Sequence, residues 1–69
     1  MNPVDNFIND FKQLFPNSTI MADIDGDNVI FYHNARINQL KESDKSVFEH
    51  INTQLIEAGI THWFIFMED

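Results

Sequence analysis

Between Ser18 and Asn34 two runs of alternating polarity, Ile20-Met21-Ala22-Asp23-Ile24 and Val29-Ile30-Phe31-Tyr32-His33, flank an Asp25-Gly26 pair. That arrangement is a strong short-range signal for a β-hairpin, because Asp-Gly supplies the backbone conformation of a tight turn. A loop of two or four residues puts Val29 and Phe31 on the face of Ile20, Ala22 and Ile24, whereas three residues would reverse the parity. The even-length loop is expected. The hairpin then carries Asp23, Asp25 and Asp27 at its tip, three like charges in a chain whose formal net charge is already −7.

The flanking segments supply the rest of an α+β domain. Asn2-Pro3-Val4-Asp5 opens a helix: Asn2 caps free amides, Pro3 suits the first helical position and Asp5 faces the positive end of the dipole. Val4, Phe7, Ile8, Phe11, Leu14 and Phe15 recur at helical spacing before Pro16 stops the run, so the helix is expected over 3–15. The hairpin strands follow at 18–24 and 28–37. Ser43 or Ser46, the latter with Glu49 as a capping box, starts a second helix over 43–58 with the stripe Val47, Phe48, Ile51, Leu55 and Ala58, and Gly59 ends it. Residues 60–67 form a last strand, apolar on both faces from Trp63 to Met67.

The expected order is therefore α-β-β-α-β in a single domain over 1–69, two helices packing on one face of a three-stranded sheet. The last strand, parallel to the second, is placed beside the first, giving strand order 2-1-3. The opposite sheet face would show Met21, Ile30, Tyr32, Trp63, Ile65 and Met67, and an apolar patch of that kind marks an interface.

At 69 residues, only about 60% of the unfolded surface is buried on folding, and the absence of cysteine removes disulfides as a staple. Dense packing or association with another chain is left, so a homodimer is expected. Neither a signal peptide nor an apolar run of about 20 residues is evident, which predicts a soluble, cytoplasmic protein, in the host cytoplasm if it is viral. Charge is segmental: −4 over residues 1–35, +1 over 36–45 and −4 over 46–69. Such a field repels nucleic acid and anionic membrane and attracts basic protein surfaces.

No reaction is spelled out by the remaining motifs. The apolar residues before Asp23-Ile24-Asp25-Gly26 resemble, with it, the first motif of haloacid dehalogenase-type phosphatases, a resemblance that implies a nucleophilic Asp23 and a leaving-group role for Asp25. Asp27 stands where that family usually has a threonine, and its doubly wound sheet is several times longer than this chain; a metal-dependent phosphatase is thus the least favoured class. Counted from Asp23 as a calcium loop, position six is Asn28 rather than glycine and position twelve is Asn34 rather than glutamate. His33, His50 and His62 lack metal-ligand spacing, and Ser18, Ser43 and Ser46 sit at turn or capping positions. No catalytic residue, metal site or cofactor is expected. Tyr32, Trp63, Phe64 and Phe66 would need a positive groove to stack nucleic acid, which the charge opposes.

The expectation is a small non-enzymatic inhibitor that binds a basic protein surface, such as that of a nucleic-acid-binding protein, by mimicking nucleic acid through Asp5, Asp10, Asp23, Asp25, Asp27, Glu49 and Glu57. In size and composition the chain is similar to phage-encoded inhibitors of host nucleases, glycosylases and CRISPR effectors, which implies an anti-defence role. The alternative is an assembly module that homodimerises through the apolar sheet face.

Overall fold

Two helices and a three-stranded mixed sheet follow one another as α1 (Pro3–Leu14), β1 (Ile20–Asp25), β2 (Asn28–His33), α2 (Glu42–Glu57) and β3 (Thr61–Phe66), with one 3₁₀ turn at Ile37–Gln39. A computed structural model describes residues 2–68; residues 1 and 69, the ends of the expected domain, lie outside the described residues. Asn2 caps α1 through its side-chain oxygen, which accepts from the Val4 amide at 2.8 Å, and Pro3 occupies the first turn where no donor is missed.

The hairpin closes with two loop residues. Asp25 pairs with Asn28 and Ile20 with His33, and of the two loop residues Gly26 alone has positive φ, at 60°, the pattern of a type II′ turn with glycine first. Even parity puts Val29 and Phe31 opposite Ile24 and Ala22, as the loop length requires.

The strand order is β1-β2-β3, with β3 parallel to β2, and not 2-1-3. A helical crossover returns the chain beside the strand it left. It also leaves β1, the strand bearing Asp23 and Asp25, on an edge where charge is tolerated. β2, which carries no charge and buries Val29, Phe31 and His33, takes the centre. A second correction concerns the length of β2, which stops at His33 rather than continuing to residue 37. The Ala35 amide donates to Nδ1 of His33 at 3.2 Å, the Thr19 amide donates to Oδ1 of Asn34 at 2.8 Å, and Ala35 turns into the core.

The start of α2 also differs. Lys41 is the N-cap residue and makes no side-chain cap; Ser43 lies within the first turn, and Ser46 donates from Oγ to the Glu42 carbonyl at 3.3 Å instead of opening a capping box. Glu42 and Asp44 favour that end through the dipole. At the other end Gly59, at φ 77°, completes a Schellman motif: its amide donates to the Ile56 carbonyl and that of Ile60 to Leu55. An added Cβ at Gly59 would meet no atom within 4 Å, so Gly59→Ala tests backbone strain alone. A loss of about 1 kcal/mol is expected, read as a melting temperature roughly 4–8 °C lower.

The core joins Phe7 and Phe11 of α1, Val29 and Phe31 of β2, and Ile51 and Leu55 of α2, with Val4, Ile20 and Ala35. Phe7 from α1 and Phe48 from α2 both reach Phe64 of β3, at 5.8 and 5.9 Å between ring centroids, and Phe64 stacks on Phe31 at 5.5 Å. His33 is the one buried polar residue among those described, at 4% exposure, edge-on to Phe11, Phe64 and Phe66. Burial pulls its pKa below the ordinary histidine value. As pH falls below about 6.5 the unfolded chain takes up the proton before the folded one does. Stability is therefore full above that value and is lost as pH falls through the folded pKa, by at most about 1.4 kcal/mol per pH unit. Urea midpoints measured from pH 7.5 down to pH 5 should fall, and His33→Gln should flatten that slope; an equal slope in both proteins would assign it to other groups.

Candidate functional site

Alternation along each strand sorts the sequence's candidate residues into rows. Val29, Phe31 and His33 take the core-facing side of β2, so the other side carries three rows across the sheet: Met21–Tyr32–Ile65, Asp23–Ile30–Trp63 and Asp25–Asn28–Thr61. Met21, Trp63 and Ile65 are 58%, 51% and 43% exposed, and Ile30, Tyr32 and Met67 are half-buried. Asp23 and Asp25 thus share a face with the aromatic and aliphatic side chains. From Asp23 to Trp63 the row spans two strand spacings, about 9–10 Å. Asn28 and Thr61, which sequence reasoning did not single out, complete its polar end; their opposition to Asp25 follows only from the register.

Charge is divided along the strands. The Thr61 amide donates to the Asp27 carbonyl at 2.9 Å, tying the junction after α2 to the hairpin turn. Glu57 in the last turn of α2 therefore lies at the same end as Asp23, Asp25 and Asp27. Helix α1 begins there as well, since Phe7 meets Phe31 at 4.8 Å while the later Phe11 meets His33 at 5.7 Å, which puts Asp5 at the hairpin end. The basic side chains gather at the other end. Lys12 is in the last turn of α1, Lys41 and Lys45 are at the start of α2, and Arg36 lies over the Phe66 ring at 4.8 Å, with Glu42, Asp44 and Glu68 among them. Glu42 pairs with Lys45 at 3.6 Å on the surface.

The seven acidic candidates do not form one array. Asp23, Asp25, Asp27, Asp5 and Glu57 mark the hairpin end, with only Asp23 and Asp25 on the aromatic sheet face. Glu49 is exposed midway along α2, and Asp10 lines a groove between the helices with Gln13, Leu14, Val47, His50 and Gln54. His62 turns from the aromatic face to α2, where Nε2 lies 2.6 Å from Oδ1 of Asn52. Among the described residues no three His, Cys, Asp or Glu side chains are grouped to hold a metal ion, and no helix is long and apolar enough to cross a membrane. Comparison with protein-family profiles, curated proteins and solved structures finds no match to this chain.

Proposed function

We propose that this is a non-enzymatic binding protein of the cytoplasm that docks the hairpin end of its aromatic sheet face onto a basic protein surface. Both helices pack on the opposite face in this reading, in keeping with a shortest dimension of 18 Å, the thickness of one helix layer on one sheet. The observation that carries it is the row Asp23–Ile30–Trp63, which puts a carboxylate and an exposed aromatic side chain on one surface with Ile30 between them. Arginine-rich surfaces favour both groups: a carboxylate accepts two parallel N–H bonds and an indole face attracts the guanidinium.

Asp23 and Asp25 project two residues apart along an extended strand, about 6.6–6.8 Å, comparable to successive phosphates of a nucleic-acid strand. That spacing supports the sharper reading, an inhibitor that occupies a nucleic-acid-binding cleft as phage anti-defence proteins do. The gathering of Asp5, Asp23, Asp25, Asp27 and Glu57 at the hairpin end, against mixed charge at the other, would orient such a partner before contact.

Affinity capture from cell lysate at low and high salt tests the reading. Basic nucleic-acid-binding proteins should be retained at low salt, released by added duplex DNA, and lost when Asp23, Asp25 and Asp27 are replaced by asparagine. Capture that is unchanged in that variant rejects it. The row Met21–Tyr32–Ile65, apolar across all three strands, favours a second reading, an assembly module stacked face to face, for which Trp63→Ala and Tyr32→Ala should lower the sedimentation mass.

A further inference from the structure

The two edges of the sheet are unlike. Along β1, Asp23 and Asp25 guard the edge with charge, a common device against strand addition. Along β3 no Asp, Glu, Lys or Arg occurs between Glu57 and Glu68, and Trp63, Ile65 and Phe66 are exposed.

The hydrogen-bond pattern shows which backbone groups of that edge are free. The Thr61 amide donates to the Asp27 carbonyl and the Met67 amide to the His33 carbonyl, at 2.9 and 2.7 Å. Odd-numbered residues of β3 therefore turn their backbone groups toward β2, and His62, Phe64 and Phe66 turn theirs outward. Among the described residues, no hydrogen bond outside the sheet ladder uses the N–H or C=O of those three.

We propose that β3 pairs antiparallel with β3 of a second copy, joining two sheets into one six-stranded sheet of order β1-β2-β3-β3-β2-β1. One register uses every outward group: Phe64 opposite Phe64, and His62 opposite Phe66 on either side. It keeps the faces matched, as side-chain alternation demands. Trp63 of one copy then lies opposite Ile65 of the other, and Thr61 opposite Met67. Glu68 falls opposite Ile60, so no carboxylate of the described residues meets another across the seam.

Charge selects the second copy and its direction. Antiparallel pairing lays the acidic hairpin end of each copy beside the end of the other that holds Lys12, Arg36, Lys41 and Lys45 together with Glu42, Asp44 and Glu68, whereas parallel pairing would set the two acidic hairpin ends side by side. Both outer edges of the joined sheet would be the guarded β1 strands, which stops further addition. The inference stands on the edge and does not depend on the partner reading above, whose capture assay reads a different quantity.

Sedimentation of the full chain from micromolar to millimolar concentration, with residue-resolved amide exchange in the same range, tests it. A mass twice the 8.1 kDa of one chain is expected, together with at least tenfold slower exchange at His62, Phe64 and Phe66. The outward amides of β1, at Ala22 and Ile24, should keep exchanging fast and serve as the internal control. A single-chain mass throughout would overturn the pairing, as would a double mass with those three amides unprotected, the signature of face-to-face stacking. Phe66→Pro removes one outward donor without breaking the ladder to β2 and should weaken the dimer tenfold or more. Should that variant not fold, the exchange measurement on the unaltered chain still decides.

Discussion

Phe31→Ala should leave most of the chain unfolded at 25 °C, without a sigmoidal urea transition. Phe31 is fully buried in the central strand, stacked on Phe64 and 4.8 Å from Phe7 between ring centroids. Truncation of such a side chain costs about 3–5 kcal/mol, part transfer and part cavity. In a chain below about 70–80 residues a single hydrophobic core rarely supplies more than about 3–5 kcal/mol in total. The cavity would open beside Phe7 and Phe64, where no neighbour is free to collapse, since Phe7, Phe11, Val29 and Leu55 are themselves fully buried. Trp63→Ala is the informative contrast. Trp63 is half exposed on the other face, so its removal should cost under about 1 kcal/mol. Equal destabilisation by the two substitutions would show that the aromatic face belongs to the core.

The difference between those two aromatic residues marks the limit of what sequence could reveal. The hairpin was legible because its instructions are local: alternation fixes the face of each residue, and Asp25-Gly26 fixes the loop and so the register. The Asn2 cap and the Gly59 stop were legible for the same reason, each needing only a few neighbouring residues. Strand order was not, because β3 is apolar on both faces and would satisfy its side chains at either edge of the hairpin. The signal that resolves it was present in Asp23 and Asp25, which an edge strand tolerates and a central one does not. The end of β2 was hidden by Ala35 and Ile37, which continue the alternation while the backbone turns at Asn34 toward the His33 ring. Seven acidic residues were visible as a composition, but their division between a hairpin end and two helix surfaces is a property of chain direction. Phe7 before Phe11, read against Phe31 and His33, is what sets it.

On the captured partner, replacement of Asp23 and Asp25 by asparagine should weaken binding about tenfold to a hundredfold at low salt, and Trp63→Ala should do the same by a separate route. A buried charge-assisted hydrogen bond contributes about 1.5–3 kcal/mol, and aromatic anchors at interface centres commonly exceed 2 kcal/mol on truncation. The two losses should respond differently to ionic strength. With a screening length near 10 Å at 0.1 M and near 3 Å at 1 M, the aspartate effect should shrink as salt rises, while the indole effect should persist. Asp23 and Trp63 are separated by Ile30, about 9–10 Å across the sheet, a distance at which independent contacts add within about 0.5 kcal/mol. If the partner docks on this face as proposed, a triple variant should therefore lose the sum of the two effects. If the aspartate substitutions reduce capture while Trp63→Ala leaves it unchanged, docking uses the acidic end alone. The aromatic rows would then serve only contact between copies, in which Trp63 meets Ile65 across the β3 seam.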